Sequence, residues 1–353
     1  MGFIADCYKS HGAIFTVPMM HKRLCFLIEP EVSAPFYKLG DDLMSQPEVY
    51  GFMTPVFGKN VVYDAEPKKR VQQMQHMAQG LRAQRLKAYV PMIEKETLAY
   101  IKKWGNSGEL NILDALSELT ILTASRCLHG NDIREKLFEQ VAEIYHDLDK
   151  GVTPLSFFFP YAPTPSHAKR DAARRKMVEI LTPVIQARRE SKEDSSEKTD
   201  ILQVFIDMKY KDGTDCTDDE VVGLLIALLF AGQHTSSITS TWTLMFLLFN
   251  PATLEKALAE QKTVLGSSST ALDFELVGQM EYLQNATKEA LRMFPPLIML
   301  MRMAMADIET SHEGKKYIIP KGTICITSPG NFLSLFLCWL PTVYLLLFLD
   351  GLP

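Results

Sequence analysis

Short apolar runs broken by turn residues open the chain. Ala-Ile-Phe-Thr-Val at 13–17 and Leu-Cys-Phe-Leu-Ile at 24–28 flank Pro18 and His21-Lys22-Arg23, a pattern that predicts a β-hairpin over 12–32. From about Glu66 to Gly151 the period turns helical, with breaks at Gly105, Gly108 and near Gly130. Four prolines between Pro154 and Pro165 surround Phe157-Phe158-Phe159, which reads as an irregular, greasy loop of the kind that lines a ligand entrance or touches a membrane. The mixed charges of 188–200 read as a solvated connector.

Thr217 followed three residues later by Glu220 is a capping box, and it predicts a long helix running to Phe249, where Asn250-Pro251 stops it. Val221 to Phe230 is almost wholly apolar, as in a helix buried all round. It runs into Ala231-Gly232-Gln233-His234 and then six hydroxyls in the seven residues Thr235 to Thr241. Serine and threonine bond back to carbonyls one turn earlier and loosen a helix, and the small pair Ala231-Gly232 leaves room for something flat against the backbone. Core packing with self-satisfied hydroxyls accounts for the same pattern. A further helix is predicted from Val277 to Met293, ended by Pro295-Pro296, and short strands at 317–320 and 323–327 around Lys321-Gly322.

Within that further helix Glu289 and Arg292 share a face, a spacing that by itself marks only an ordinary ion pair. The apolar run Leu297-Ile298-Met299-Leu300-Met301 that follows the helix closes on Arg302. Such an arginine requires a counter-anion, and an acidic group on a ligand is one candidate.

Composition narrows the picture. Among 353 residues, 47% are hydrophobic and the net charge is −5, which excludes collagen-like and disordered chains and gives no electrostatic footprint for nucleic acid. The six cysteines are scattered without zinc spacing and read as reduced thiols; no metal site is predicted from spacing. No apolar segment begins the chain. Phe332 to Leu349 is 18 residues without a charge, enough for a possible C-terminal transmembrane segment with the main body on the cytosolic side.

Ala231 to Ser237, Glu289 to Arg292 before Pro295-Pro296, and Ile319-Pro320-Lys321-Gly322 with Ser328-Pro329 together resemble the oxygen-binding helix, the E-x-x-R helix and the following strands of the cytochromes P-450. His234-Thr235-Ser236 and the stretch Tyr50 to Asp64, with Thr54-Pro55-Val56-Phe57-Gly58-Lys59, resemble more closely the sterol 14α-demethylases. The resemblance covers about residues 4 to 330. It implies a mainly α fold with small β-sheets, a partial P-450 domain over 1–330, and an apolar tail of another character over 331–353.

The resemblance also implies roles. Thr235, with His234 beside it, would serve proton delivery to dioxygen bound on a haem. Tyr50, Tyr63 and Arg302 would contact the haem, and Glu289 and Arg292 would hold the core around it. Phe57, Tyr63, Ala231, Leu297, Ile298 and Met299 would border a sterol cavity. The implied chemistry is oxidative removal of a sterol 14α-methyl group, with electrons from an NADPH-dependent reductase, at the cytosolic face of the endoplasmic reticulum membrane.

Two departures from the family pattern stand out. Met74 lies near the place of a lysine in animal and fungal members. After Ser328-Pro329 the family continues to a Phe/Gly-framed loop whose cysteine thiolate binds the iron, whereas Cys325 and Cys338 lack that frame. The expectation is therefore a chain truncated before its axial ligand and inactive in this form, or a non-catalytic, sterol-binding or membrane-associated remnant.

Overall fold

A computed structural model describes residues 2–191, 200–266 and 271–328. In chain order the elements begin with α1 (Gly2–His11), β1 (Ile14–Met19), β2 (Lys22–Leu27), α2 (Pro30–Lys38), β3 (Met44–Ser45), α3 (Pro47–Tyr50) and α4 (Thr54–Phe57). Next come α5 (Pro67–Gly80), α6 (Ala83–Ile101), α7 (Ile112–Ala124), α8 (Asn131–Lys136), α9 (Phe138–Lys150), α10 (Pro154–Phe158), α11 (Pro165–Glu190) and α12 (Ile201–Ile206). The last are α13 (Asp218–Phe249), α14 (Pro251–Leu265), α15 (Phe274–Gln279), α16 (Glu281–Met293), β4 (Leu300–Ala304), β5 (Ile308–His312), β6 (Lys315–Ile319) and β7 (Ile324–Thr327). The fold is mainly helical with small sheets, as expected.

Contacts divide the chain into two units. The first gathers 1–49, 242–257 and 282–353. Its five-stranded sheet has the order β1-β2-β7-β4-β3, and β5 pairs with β6 in a second sheet. The hairpin expected over 12–32 is there, with Thr16 opposite Cys25 and Phe15 stacked on Phe26 at 5.1 Å. The one parallel pairing among these described strands joins β2 to β7, so that residues from the two ends of the chain share one core: Cys25, Leu27, Val32, Phe36, Met44, Ala304 and Cys325. Thr310 donates to the Val32 carbonyl at 3.1 Å, Tyr8 to Glu29 at 2.5 Å, and the other Glu29 oxygen meets His312 Nε2 at 2.9 Å. These bonds tie α1 and the start of α2 to the β5–β6 hairpin.

The second unit comprises 50–241 and 258–281. Its core packs α9, α11 and α12 around the first half of α13, where Val221, Val222, Leu224 and Leu225 are all but fully buried. Each such side chain contributes about 1.5–3 kcal/mol of burial, so a helix of this composition has no reason to stay at a surface. The predicted capping box opens α13: the Glu220 N–H donates to Thr217 Oγ1 at 3.3 Å and the Thr217 N–H to Glu220 Oε2 at 3.1 Å. This helix is long and apolar enough to cross a membrane, but 56% of its apolar window is buried within the protein, as in a core helix.

Four expectations change. The greasy 154–165 segment is ordered: α10 forms there, and His167 bridges Ser156 Oγ at 2.9 Å and the Ala162 carbonyl at 2.8 Å. The connector expected over 188–200 begins inside α11, and Arg188 is buried, bonding Asp200 at 2.8 Å and Asp132 at 3.1 Å. Burial made that arginine a tether where the sequence showed only a charge run. The helix expected from Val277 instead starts earlier, at Phe274, where Asp273 caps it by accepting from the Leu276 N–H at 2.7 Å, and it breaks at Met280, whose ψ of 66° is not helical. Finally, the last part of the extended run, with Arg302, lies in strand β4, which pairs with β7 and is an addition to the expected strands. The expected segment Phe332–Leu349 lies outside the described residues.

Candidate functional site

Tyr50, Phe57 and Tyr63 come together through an unusual turn. Gly58, Asn60 and Val62 have φ of 101°, 59° and 48°. A branched residue such as valine adopts such a φ only when its surroundings impose it. Gln73, fully buried, imposes it: its Oε1 accepts from the Val62 N–H at 2.9 Å and its Nε2 donates to the Asn60 carbonyl at 2.8 Å. At Gly58 the φ of 101° requires glycine, and a β-carbon there would also displace the Arg174 guanidinium, whose Nη2 would lie 2.5 Å away. The result is a ring cluster. Tyr50 stacks on Tyr63 at 5.1 Å, Tyr63 on Phe57 at 6.1 Å, Phe57 meets Phe230 edge-on at 5.8 Å, and Phe230 meets Tyr145 at 4.9 Å. Burial, with the neighbouring Tyr50, pushes the Tyr63 phenol up to about 12, so it remains a neutral hydroxyl at physiological pH.

Phe230 ends the buried stretch of α13, and the helix surface opens immediately after it. Ala231 is exposed, and a β-carbon on Gly232 would meet nothing within 4 Å. The hydroxyls behave as the local chemistry predicts. Thr235 donates to the Ala231 carbonyl at 2.7 Å, Thr239 to Thr235 at 2.6 Å, and Thr241 to Ser237 at 2.7 Å. His234 Nε2 sits 2.8 Å from Asp149 Oδ1, and this bond raises the imidazole above its ordinary range. Asp149 was not foreseen. It lies one turn beyond Tyr145 on α9, as His234 lies one turn beyond Phe230 on α13, so the two helices meet through two contacts of the same seam. Residues 85 apart in sequence carry no local signal of that pairing.

The other expected residues belong to the first unit. Glu289 and Arg292 form a bidentate pair, 2.7 Å at Nε and 2.5 Å at Nη2, on α16. Trp242 and Phe294 stack at 3.9 Å in the same unit. Leu297, Ile298 and Met299 are exposed. Arg302, for which a ligand acid was one candidate counter-anion, has an anion of its own: Nη2 lies 3.2 Å from Asp41 Oδ1, and Nη1 donates to the Phe36 carbonyl at 2.6 Å. Met74 is exposed.

The open strip at Ala231-Gly232, which follows Phe230 and its ring contacts, leaves room for one face of a flat group such as haem. The described cysteines do not fit its other face as an axial thiolate. Cys25, Cys127, Cys216 and Cys325 are buried, and burial pushes Cys127, Cys216 and Cys325 up to about 12, while a thiolate ligand needs the opposite shift. Among the described residues, no cluster of three or more His, Cys, Asp or Glu side chains is arranged to hold a metal ion.

The family model described as "Cytochrome P450" matches residues 2–334. The chain is 47% identical over 324 residues to "Sterol 14-demethylase" of Arabidopsis thaliana, covering 92% of this chain and 66% of that protein. It is 47% identical over 328 residues to "Obtusifoliol 14-alpha demethylase" of Sorghum bicolor, with 93% and 66% covered, and 42% identical over 332 residues to "Lanosterol 14-alpha demethylase" of Rattus norvegicus, with 93% and 65% covered. It thus spans about two thirds of the length of these relatives. Among solved structures, the retinoic acid bound cyanobacterial CYP120A1 superposes with a TM-score of 0.79 at 19% identity, covering 93% of this chain and 72% of that one, a likeness of fold. The chain therefore belongs to the cytochrome P450 family, within its sterol 14-demethylases.

Proposed function

We propose that this chain contributes the sterol-binding and distal haem-facing surfaces of a sterol 14-demethylase, a haem monooxygenase that removes the 14α-methyl group of a sterol oxidatively. The observation that carries this reading is the opening of α13 at Ala231-Gly232, directly after Phe230 and its ring cluster. An apolar wall of aromatic rings and small residues suits a rigid hydrocarbon skeleton. When bound, haem supplies the activation of dioxygen, with electrons from an NADPH-dependent reductase.

The chain's own residues do the rest. Tyr63 and Phe57 would border the sterol and hold its orientation, and Tyr50 and Ala231 would help hold the haem. His234, held by Asp149, stores a proton next to Thr235, whose hydroxyl is already aligned by the Ala231 carbonyl. In the first unit Arg302 offers a guanidinium with five N–H donors, so bonds to Asp41 and Phe36 leave capacity for a haem propionate. Leu297, Ile298 and Met299, in the same unit, expose apolar side chains, as the resemblance to sterol-binding positions leads one to expect. The setting is the cytosolic face of the endoplasmic reticulum membrane.

The test is sterol binding by the full 353-residue chain in detergent micelles, followed by intrinsic fluorescence. Obtusifoliol and lanosterol, which carry the 14α-methyl group, should bind at least about tenfold more tightly than a sterol lacking it, a difference of about 1.4 kcal/mol. Phe57→Ala should abolish the preference. Equal affinity for both sterol classes, or no binding by a folded chain, would overturn the proposal.

A further inference from the structure

A second chemical feature lies in the first unit. Cys25 on β2 and Cys325 on β7, 300 positions apart in sequence, are in-register partners of adjacent parallel strands. Register partners point to the same face of a sheet, and both thiols belong to the same buried cluster. Across the sheet the row reads Thr16, Cys25, Cys325, Arg302. Strand spacing of about 4.8 Å falls within the Cα separation of roughly 4.4–6.8 Å that a disulfide spans.

We infer that Cys25 and Cys325 form a modification site: a dithiol that a low-molecular-weight disulfide oxidises to a cross-strand bond joining the two ends of the chain. β1 is the outermost strand of this sheet and its Thr16 is exposed, so Cys25 lies one strand in from solvent. Cys325 lies one strand further in, on β7 between β2 and β4, so Cys25 is the thiol an oxidant entering past β1 meets first.

The exchange balances without any other reagent. The Cys25 thiolate attacks one sulfur of the oxidant; a new S–S bond forms as the oxidant's S–S bond breaks, and one small thiolate leaves. The Cys325 thiolate then attacks the Cys25 sulfur and expels the second. The protein loses two electrons and two protons, and the two small thiols gain them. The sheet sets the β-carbons near its own strand spacing, wider than the roughly 3.5–4.5 Å of a relaxed disulfide, so the bond is strained and readily reversed. Its effect is to fix the pairing of β2 with β7.

The purified chain, incubated with about 5 mM oxidised glutathione at mildly alkaline pH, is quenched, alkylated, digested without reductant and mapped by mass spectrometry. A peptide joining Cys25 to Cys325 should account for more than half of the molecules and vanish after transfer to about 5 mM reduced glutathione. Cys25→Ser and, separately, Cys325→Ser should each abolish the link, and the mapping of the unsubstituted chain stands even if one variant fails to fold. Recovery of Cys25 and Cys325 as separate alkylated or glutathionylated thiols, while Cys7 has reacted, would overturn the inference. So would a link from either to another cysteine.

Discussion

Gly223 should be the least replaceable position of α13. A β-carbon there would lie 2.2 Å from the Phe57 carbonyl oxygen and 2.8 Å from Val61 Cγ2, against 3.0 Å as the closest approach real β-carbons show. The obstacle is backbone that Arg174 also grips, its Nη2 donating to the same carbonyl at 3.3 Å, so relief requires α13 or the Phe57 turn to retreat by about 1 Å. Overpacking of this kind costs up to about 3 kcal/mol, and alanine returns about 1 kcal/mol of helix propensity over glycine. Gly223→Ala should therefore lose about 2 kcal/mol, which at an m-value of about 3 kcal/mol/M lowers the urea midpoint by about 0.7 M, read from helical circular dichroism. Gly232→Ala on the same helix meets open space and should be neutral or stabilising by up to about 1 kcal/mol. A Gly223→Ala midpoint at or above that of the unsubstituted chain would refute the claim that α13 and the Phe57 turn pack backbone to backbone.

Two further outcomes follow from buried and half-buried charge. Arg188→Ala strands the largely buried Asp200, which also caps α12 by accepting from the Gln203 N–H at 3.0 Å, and should cost about 3–5 kcal/mol; Arg188→Ala with Asp200→Asn should cost less than the sum, and additive urea midpoints would contradict the pairing. Asp149→Asn should return the His234 pKa from its raised value toward the ordinary 6.5, measured by NMR titration of the imidazole. Because the folded value is raised, the stabilisation from this pair is complete below about pH 6.5 and is lost as pH rises through the folded pKa; an unchanged His234 titration in Asp149→Asn would show that the contact is not formed in solution.

What the sequence revealed were features written in a local period. The hairpin of β1 and β2, the capping box at Thr217 and Glu220, and α13 from there to Phe249 all depend on residues within a few positions of one another, and all are found. The split at Met280 escaped notice because α15 and α16 share one apolar rhythm and are separated by a single residue, Met280, whose backbone leaves the helical conformation. Strand β3 escaped because it is two residues long and is specified by β4, about 260 residues away; β4 and β5 are five residues each and carry no clear alternation of their own.

The site divides along the same line. Thr235 and Ala231 were legible by composition, as hydroxyls and small residues in a core helix, whereas Tyr50, Phe57 and Tyr63 were legible only through the resemblance to the sterol 14α-demethylases. Their partners were not. The sequence demands an anion for Arg302 but offers 42 acidic side chains, and nothing in a linear pattern selects Asp41, 261 residues earlier. The same holds for Asp149 with His234 and for Arg174 with the Phe57 carbonyl. Buried polar groups must be paired, so the demand is written in the sequence; the tertiary packing that brings two particular groups within hydrogen-bonding distance decides how it is met. Where a reading went wrong here, as at Arg188, it assigned a charge to solvent that the fold had already committed to a buried partner.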